Sequence, residues 1–311
     1  MAGLAFVFPG QGSQWLGMGR DVYEAYPAAR DLFDEADTEL GFPLSRLCFF
    51  GPGEVLNDTI NTQPAVYVTS LAIWRSIEHS LPQQIGFFAG HSLGEYAALV
   101  AAGALDFVTG LRLVRQRGRL MQAAGERSQG GMAAILGLDA AAVESICLQA
   151  EEACGRVVRV ANYNSPGQIV ISGDETALAE AMDAATGAGA RKVVRLAVSI
   201  AAHSPLMAPA VDLLREDLKA VDFAVPSHPV VGNVTARPLG RADDIVDELL
   251  QQLTSPVRWT DSLRWMLSQG LDGHVEVGPG QVLTGLVKRI DRTVKRLSVG
   301  DVAGVQAFVE G

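Results

Sequence analysis

The 311-residue chain has few cysteines, no paired cysteine motif and no long apolar run. The three cysteines, Cys48, Cys147 and Cys154, are odd in number and form no Cys-x-x-Cys pair. This argues against both a disulfide framework and a zinc site. The apolar run at 97–105 is too short to span a bilayer, and no basic segment precedes the first apolar run at 4–8. We therefore expect a soluble cytoplasmic protein without a metal or bound cofactor.

An excess of basic residues is also lacking. The formal net charge is −10 and the sequence pI is about 5.0, which argues against nucleic acid as the main partner, because phosphate binding needs a basic field. Hydrophobic residues make up 48% of the chain and the mean hydropathy is +0.19. A chain of this length and composition can bury a core large enough for one large domain with a smaller insert.

The most informative segment present is Gly90-His91-Ser92-Leu93-Gly94. It lies between a short apolar run, typical of a buried strand, and an amphipathic helical pattern. This is the spacing of a nucleophile elbow, in which flanking glycines let strand and helix approach closely around a strained serine. The alternative is a tight turn with Ser92 as the N-cap of the helix.

A second glycine-rich loop, Pro9-Gly10-Gln11-Gly12-Ser13-Gln14, follows the apolar strand pattern at 4–8. In a sheet-based hydrolase such a loop supplies one oxyanion donor, so the N–H groups of Gln11 and Leu93 are a candidate pair. A phosphate-binding loop is the competing interpretation, but no Gly-Lys-Ser/Thr follows. The third interpretation is an ordinary turn.

Helical patterns at 21–40, 63–79, 97–102 and 106–124 occupy much of the first 128 residues, with Thr62-Gln63-Pro64 as a helix start. In the last of these helices Arg117 falls on the apolar face, unlike Arg112, Arg115 and Arg119. A buried guanidinium must be paired. Its partner is either the carboxylate of a substrate or a distant Asp or Glu in a salt bridge.

From residue 130 the pattern changes to strand, helix, two strands, helix and strand, ending at 192–198. That order is the ferredoxin-like unit, which can fold by itself as an insertion. Later patterns predict helices at 244–253, 257–269 and 282–290 and a strand at 275–277. We therefore predict an α/β hydrolase-like large domain with a mainly parallel sheet (1–128 and 199–311) and an inserted ferredoxin-like domain (129–198).

A serine nucleophile needs a base, and the chain offers five histidines: His79, His91, His203, His228 and His274. We expect His91 to point away from its neighbour Ser92, His79 and His228 to lie at the surface, and His274 to be a core histidine with satisfied hydrogen bonds. His203 stands at a strand-to-helix junction and is our candidate. No acid lies near it in sequence, so a backbone carbonyl is one way to orient the imidazole.

These motifs resemble, in one order and over nearly the whole chain, those of the malonyl-CoA:acyl carrier protein transacylases of bacterial fatty acid synthesis. That family is similar to the acyltransferase domains of polyketide synthases. The resemblance rests on the following segments: 8–14, 62–65, 90–96, Arg117-Gly118 with Met121-Gln122, 162–168, His203 with Leu206-Met207, 251–253 with 256–259, and 276–280.

The resemblance implies a two-step transfer of a malonyl group from coenzyme A to the phosphopantetheine thiol of an acyl carrier protein. Ser92 would be the nucleophile, His203 the general base, and the amides of Gln11 and Leu93 the oxyanion hole. Arg117 would hold the free carboxylate of the malonyl group. The family also suggests a monomer, with no membrane or nucleic acid partner.

Three further residues take roles by the same resemblance. The main-chain carbonyl of Gln252 would orient the histidine, and Gln63 and Asn162 would contribute to substrate binding. The segment Ile200-Ala201-Ala202 departs from the family, which usually carries proline, serine or phenylalanine close to the histidine. Small alanines leave room for an α-methyl group, so discrimination between malonyl and methylmalonyl groups is expected to be incomplete.

Three alternatives stay open at this stage. One is an acyltransferase that serves a polyketide synthase with malonyl or methylmalonyl units. Another is a serine hydrolase that releases acyl groups to water, although Arg117 argues against it. The third is a non-enzymatic scaffold, in which Ser92 would resist acylation.

The basic cluster at 288–296 fits either a helix face in contact with solvent or the docking surface of an acidic protein partner.

Overall fold

Two β-sheets organise the fold, which we describe from a computed structural model covering residues 3–81 and 84–310. Sheet A has six strands in the order β10-β9-β1-β2-β7-β8, and sheet B has four in the order β4-β5-β3-β6. The strands are β1 (Gly3–Phe8), β2 (Ile85–Gly90), β3 (Gly130–Leu136), β4 (Val158–Ser165), β5 (Gln168–Asp174), β6 (Lys192–Arg195), β7 (Val230–Val231), β8 (Pro238–Leu239), β9 (Leu271–Val277) and β10 (Lys295–Val299).

The helices fill the connections between these strands. They are α1 (Arg20–Ala25), α2 (Pro27–Leu40), α3 (Leu44–Phe50), α4 (Gly53–Asn57), α5 (Thr59–Ile77), α6 (Gly94–Ala101), α7 (Phe107–Arg127), α8 (Ala140–Cys154), α9 (Glu175–Gly187), α10 (Ala208–Lys219), α11 (Ala242–Gln252), α12 (Trp259–Ser268), α13 (Val282–Ile290) and α14 (Val302–Glu310). No helix among the described residues is both long and apolar enough to cross a bilayer.

Sheet A is parallel except for the short pair formed by β7 and β8. The predicted α/β fold with a mainly parallel sheet is therefore confirmed. Phe8 at the end of β1 is in register with Gly90 at the end of β2. Because the carboxyl ends of parallel strands meet at one edge, the glycine-rich loop after β1 and the serine turn after β2 lie side by side.

The main core packs against one face of sheet A. Phe6 and Phe8 of β1 and Phe88 of β2 meet the ring of Trp74 from α5, with ring centroids 5.3 to 6.0 Å apart. All four rings are buried, and almost every residue of α5 is buried as well. This helix is buried on all sides because it runs through the core, and its polar side chains are buried with it.

Sheet B has the predicted order of elements: β3, α8, β4, β5, α9 and β6, all paired antiparallel. Its last strand ends at Arg195 rather than at the predicted Val198, and residues 196–200 continue as irregular chain that lines a cavity described below. The division into domains at 129–198 stays a prediction. Residues 1, 2, 82, 83 and 311 of the predicted large domain lie outside the described residues.

Sheet B is joined to the rest of the chain along β4. Asn162 forms an isolated parallel bridge with Val257. The N–H of Tyr163 donates to the carbonyl of Val257 at 2.9 Å, and the N–H of Val257 donates to the carbonyl of Ala161 at 2.8 Å. This short ladder fixes the edge strand of sheet B beside the serine turn at the end of β2.

Two prolines show where the helix predictions were wrong. The helix predicted at 21–40 is broken before Pro27, which begins α2 at a position where no N–H is needed. Pro64 instead lies inside α5, which begins at Thr59. Its missing N–H would leave the carbonyl of Ile60 without its helical partner, but the Arg115 guanidinium donates to that carbonyl at 2.5 Å.

Other element ends also differ from the predicted ones. Helix α12 starts at Trp259 instead of Val257, because Val257 takes part in the ladder with β4. Strand β9 extends over Leu271–Val277, four residues further back than the predicted 275–277, because its first residues pair with β1. Tertiary pairing thus sets strand length where the local pattern is short.

Candidate active site

Ser92 lies on a strained turn between β2 and α6. Its φ angle is +52°, a left-handed conformation that is unfavourable for a residue with a Cβ. A Cβ on Gly90 would come within 1.9 Å of the carbonyl carbon of Gly94, and one on Gly94 within 2.1 Å of the Phe8 carbonyl oxygen. Both glycines are therefore required for close approach, as predicted for a nucleophile elbow.

His203 follows the last strand of sheet B in the chain, and its side chain contacts Ser92. Its Nε2 lies 2.8 Å from Ser92 Oγ, and its Nδ1 lies 2.6 Å from the main-chain carbonyl oxygen of Gln252. A carbonyl can only accept, so Nδ1 carries the proton and Nε2 is free to accept one from the serine. His203 also has a positive φ, +59°, and its ring is buried.

Burial, followed by the nearby Arg117 cation, lowers the pKa of His203 to about 3. The imidazole is therefore neutral at neutral pH. Among the described residues no carboxylate accepts a hydrogen bond from this ring, so the carbonyl of Gln252 takes the orienting position that an acid holds in a Ser-His-Asp triad. A serine with a neutral base at hydrogen-bond distance can be deprotonated during attack on a carbonyl carbon.

Two backbone amides face the same space. Within the described chain, neither the N–H of Gln11 nor that of Leu93 has a hydrogen-bond acceptor. Leu93 sits at the N-terminus of α6 and Gln11 in the loop after β1, and both line the cavity that contains Ser92 Oγ. The side chain of Gln11 is held by Thr59, whose hydroxyl donates to Oε1 at 2.7 Å.

Arg117 of α7 is 1% exposed and enters the site from the core side. Its Nη2 donates to Ser92 Oγ at 3.1 Å and to the side-chain oxygen of Gln252 at 2.9 Å, and its Nη1 donates to Gln63 Oε1 at 2.8 Å. The Nε has no acceptor, and no ion pair involving Arg117 occurs among the described residues. The salt bridge considered from the sequence is therefore absent from this part of the chain.

The remaining sequence-predicted residues take different positions. Gln63 is buried behind Arg117 and does not line the cavity. Its amide nitrogen donates to the Thr59 hydroxyl at 3.1 Å, so both ends of the side chain are occupied. Asn162 of β4 lines the cavity, and Gln252 contacts Arg117 and His203 through side chain and main chain respectively.

These groups open onto a cavity of about 370 Å³. Its polar side contains Gln11, Ser92, Leu93, Arg117, Asn162 and His203. Its apolar side is formed by Met121, Met132, Val198, Ile200 and Ala202. Ala202 lines the cavity, whereas Ala201 does not. A small acyl group with a negative end fits this combination of one cation, two free amides and an apolar wall.

The other histidines are placed as follows. His91 points away from Ser92, as expected, and its Nε2 lies 2.8 Å from Asn164 Oδ1 of β4. His79 is exposed and His228 half-buried. The prediction for His274 was wrong in one respect: the residue is buried, but neither ring nitrogen has a hydrogen-bond partner among the described residues. The ring is buried where β9 pairs with β1 and β10.

Two residues that the sequence did not single out belong to the surroundings of the site. The carboxamide of Asn233, after β7, accepts the Ser92 N–H and donates to the carbonyl of Gly90. Glu95 of α6 is fully buried and accepts hydrogen bonds from the Asn233 N–H and from Gln252. A signal for Asn233 existed, since an asparagine after an apolar strand pattern at 230–231 occupies the edge where loops carry function.

Within the described residues, no group of three or more His, Cys, Asp or Glu side chains is placed to hold a metal ion. The exposed members of the basic cluster are Lys288, Arg289, Arg292 and Lys295. Arg289 donates to Gln168 of sheet B, and Arg296 is half-buried and donates to main-chain carbonyls. This cluster is separate from the cavity lining.

The fold and the serine-histidine pair at a strand-to-helix elbow are the arrangement typical of α/β enzymes with a serine nucleophile. Residues 5–307 match the family described as acyl transferase domain, and the chain belongs to this family. It is thus an acyltransferase, which confirms the predicted enzyme class.

Characterised relatives agree over the full length. The chain is 44% identical over 310 residues to the malonyl CoA-acyl carrier protein transacylase of Escherichia coli (strain K12), covering 100% of both chains. Among solved structures it is similar to a malonyl-transacylase in complex with a type II PKS acyl-carrier protein (TM-score 0.96, 43% identity, 99% of both chains). The transacylase from Coxiella burnetii matches equally well (TM-score 0.96, 41% identity, 99% and 97%).

Proposed function

We propose that the protein transfers a malonyl group from coenzyme A to the phosphopantetheine thiol of an acyl carrier protein through an ester on Ser92. The observation that carries the proposal is Arg117, a buried guanidinium 3.1 Å from the serine hydroxyl and bonded only to neutral groups. A planar cation in an enclosed site favours a carboxylate that can accept two parallel hydrogen bonds. Malonyl carries such a carboxylate, whereas acetyl does not.

In the first half of the reaction Ser92 Oγ attacks the thioester carbon of malonyl-CoA, and its proton passes to His203 Nε2. The N–H groups of Gln11 and Leu93 hold the negative oxygen of the tetrahedral intermediate. Collapse of the intermediate breaks the carbon–sulfur bond. The coenzyme A thiolate then takes the proton from His203, which leaves a neutral imidazole and a malonyl ester on Ser92.

In the second half the thiol of the carrier protein gives its proton to His203 Nε2 and attacks the ester carbon. The same two amides hold the second oxyanion, and the Ser92 oxygen leaves with the proton from His203. Arg117 keeps the malonyl carboxylate in one place during both halves, so that water has less opportunity to replace the thiol. Gln252 keeps the imidazole in the tautomer that both halves need.

The remaining assignments are parts of the same proposal. Gln63 supports substrate binding by fixing Arg117 from behind, and Asn162 contacts the bound acyl group or pantetheine from β4. The protein acts as a cytoplasmic monomer without metal or bound cofactor, and residues 129–198 form an inserted domain that supplies one wall of the cleft. The carrier protein belongs to fatty acid synthesis, as the sequence motifs imply, or to polyketide synthesis, since a malonyl-transacylase in complex with a type II PKS acyl-carrier protein is similar to this chain.

Discrimination against an α-methyl group is expected to be incomplete. Ala202 is the small residue before His203 that faces the cavity, and one methyl group in an apolar pocket changes binding by about 1–3 kcal/mol. Competition between malonyl-CoA and methylmalonyl-CoA, with the acylated carrier protein measured by mass, gives the ratio. A preference for malonyl above about 200-fold would contradict this expectation.

The central test is intact-protein mass after mixing with malonyl-CoA. The proposal predicts a stable malonyl adduct on the wild-type protein, none on Ser92→Ala, and loss of the adduct when carrier protein is added. Rapid release of free malonate without carrier protein would instead favour the hydrolase. Absence of any adduct on folded wild-type protein would favour the scaffold.

A further inference from the structure

Asn233 bonds to the backbone on the two sides of His91, in the first half of the serine turn. The Ser92 N–H donates to its Oδ1 at 2.6 Å, and its Nδ2 donates to the carbonyl oxygen of Gly90 at 2.7 Å. Gly90 is the last residue of β2 and Ser92 precedes α6, so these two backbone groups lie at the junction of strand and helix, where regular hydrogen bonding ends. Asn233 is 1% exposed, so its side chain, and not water, is the hydrogen-bond partner of these two backbone groups.

The segment that carries Asn233 is itself held by two buried carboxylates. Glu95 of α6 accepts the N–H of Asn233 at 3.0 Å. Glu248 of α11 accepts the N–H of Val234 at 2.5 Å and the hydroxyl of Thr235 at 3.0 Å. Asn233 is therefore fixed to the helix that follows the nucleophile and to the helix that ends at Gln252.

These hydrogen bonds determine which backbone N–H of the serine turn is free to bind an oxyanion. The Ser92 N–H is taken by Asn233, and the Gly94 N–H donates to the carbonyl of His91 at 3.0 Å. Between them, the Leu93 N–H is without an acceptor among the described residues. The peptide groups on the two sides of Ser92 are both held, because Asn233 accepts the Ser92 N–H and the Gln252 side chain donates to the Ser92 carbonyl at 3.0 Å. These bonds oppose the relaxation of Ser92 from its left-handed conformation to a normal one.

We propose that Asn233 is a positioning residue for the transfer reaction: its carboxamide holds Ser92 in the left-handed conformation that presents both the hydroxyl and the Leu93 N–H to the acyl carbonyl. The inference rests on the proposed function of Ser92. It assigns no contact between Asn233 and substrate. Its effect should therefore fall on the rate of acylation and not on the binding of malonyl-CoA.

The experiment is single-turnover acylation by malonyl-CoA, followed by quenching and intact mass, on Asn233→Ala, Asn233→Asp and Thr235→Val. Asn233→Ala should slow the acylation rate constant about 10- to 100-fold, the size expected for a misplaced reacting group, while the concentration for half-maximal rate changes less than about threefold. Asn233→Asp keeps the acceptor for the Ser92 N–H but sets an oxygen, in place of the donor, against the Gly90 carbonyl, so it should also be slowed. Thr235→Val is the comparison on the same segment: it removes one hydrogen bond to Glu248 and keeps the Asn233 carboxamide, so its rate should fall much less than that of Asn233→Ala.

Asn233→Asp keeps the test decisive even where the alanine variant does not fold, because its shape is nearly that of asparagine. Wild-type rates in folded Asn233→Ala or in Asn233→Asp would overturn the inference. So would an equal loss of rate in Thr235→Val, which would mean that the segment and not the carboxamide matters. Ser92→Ala in the same assay separates the two proposals: if it still accepts malonyl the nucleophile assignment fails, whatever Asn233 does.

Discussion

His203 and His274 are both buried imidazoles in or beside sheet A, and they differ in what surrounds their nitrogens. Burial lowers the pKa of each to about 3. Both nitrogens of His203 have hydrogen-bond partners, Ser92 Oγ and the carbonyl of Gln252, whereas neither nitrogen of His274 has one in the part of the chain that the structure describes. Burial alone therefore gives a neutral imidazole, and only the fixed tautomer and the facing hydroxyl make one of them a candidate base.

The largest expected difference between the two histidines is in the rate of transfer. His203→Ala should lower the rate of malonyl transfer about 10²- to 10⁴-fold, because the serine proton loses its acceptor. His274→Leu should leave the rate within about twofold of wild type. Steady-state transfer to carrier protein measures both, and a similar loss in the two variants would refute the distinction drawn from their hydrogen bonds.

The second effect is on the rate of malonyl transfer by variants of Arg117, whose guanidinium lies near His203. Arg117→Ala should lower malonyl transfer about 10- to 100-fold, since hydrogen bonds to a charged group are worth about 1.5–3 kcal/mol, and should improve transfer of acetyl relative to malonyl. Arg119→Ala, an exposed arginine on the same helix, is the matched control. Transfer from malonyl-CoA and acetyl-CoA is measured side by side. Unchanged malonyl kinetics in Arg117→Ala would contradict the role of the guanidinium.

The third effect is on the free energy of unfolding and concerns His274. His274→Leu should raise the free energy of unfolding at pH 7 by about 1–3 kcal/mol, because it removes buried polar atoms that have no partner. Urea unfolding of both proteins measures the difference. A destabilised His274→Leu would indicate that the imidazole has a favourable contact after all.

The dependence of stability on pH sharpens the same comparison. In the unfolded chain an imidazole gains its proton near pH 6.5, whereas in the fold His274 resists protonation until about pH 3. The unfolded state binds more protons between these values, so stability falls as pH falls from about 6.5 towards 3. Removing His274 should reduce this slope by up to about 1.4 kcal/mol per pH unit. Equal slopes in the wild type and His274→Leu would contradict the lowered pKa.

The smallest effect is a shift in the pH profile of acylation. Arg117 is the second cause, after burial, of the lowered pKa of His203. Residual acylation by Arg117→Ala should therefore begin to fall at a higher pH than that of the wild type as pH decreases. The residual rate measured by mass between pH 4 and 8 tests this. His274→Leu should leave the profile unchanged.

The features that the sequence predicted are local. Gly90, Ser92 and Gly94 predict the elbow because the steric demand of a tight strand-to-helix turn falls on neighbouring residues. The βαββαβ order between 130 and 195 follows from patterns of a few residues each. The position of Arg117 on the apolar face of a helix could be read from its own neighbours.

The tertiary structure decided which distant groups meet. His203 lies 111 residues from Ser92 and Asn233 lies 141 residues away, and no local pattern specifies such pairs. The sequence singled out His203 among five histidines but did not show that it reaches Ser92, and it left Arg117 with either a substrate or a salt bridge as its partner. Packing of α7, α11 and β7 around the ends of β1 and β2 brings these side chains together, because a hydrogen bond depends on the final arrangement of elements and not on the segment that supplies each atom.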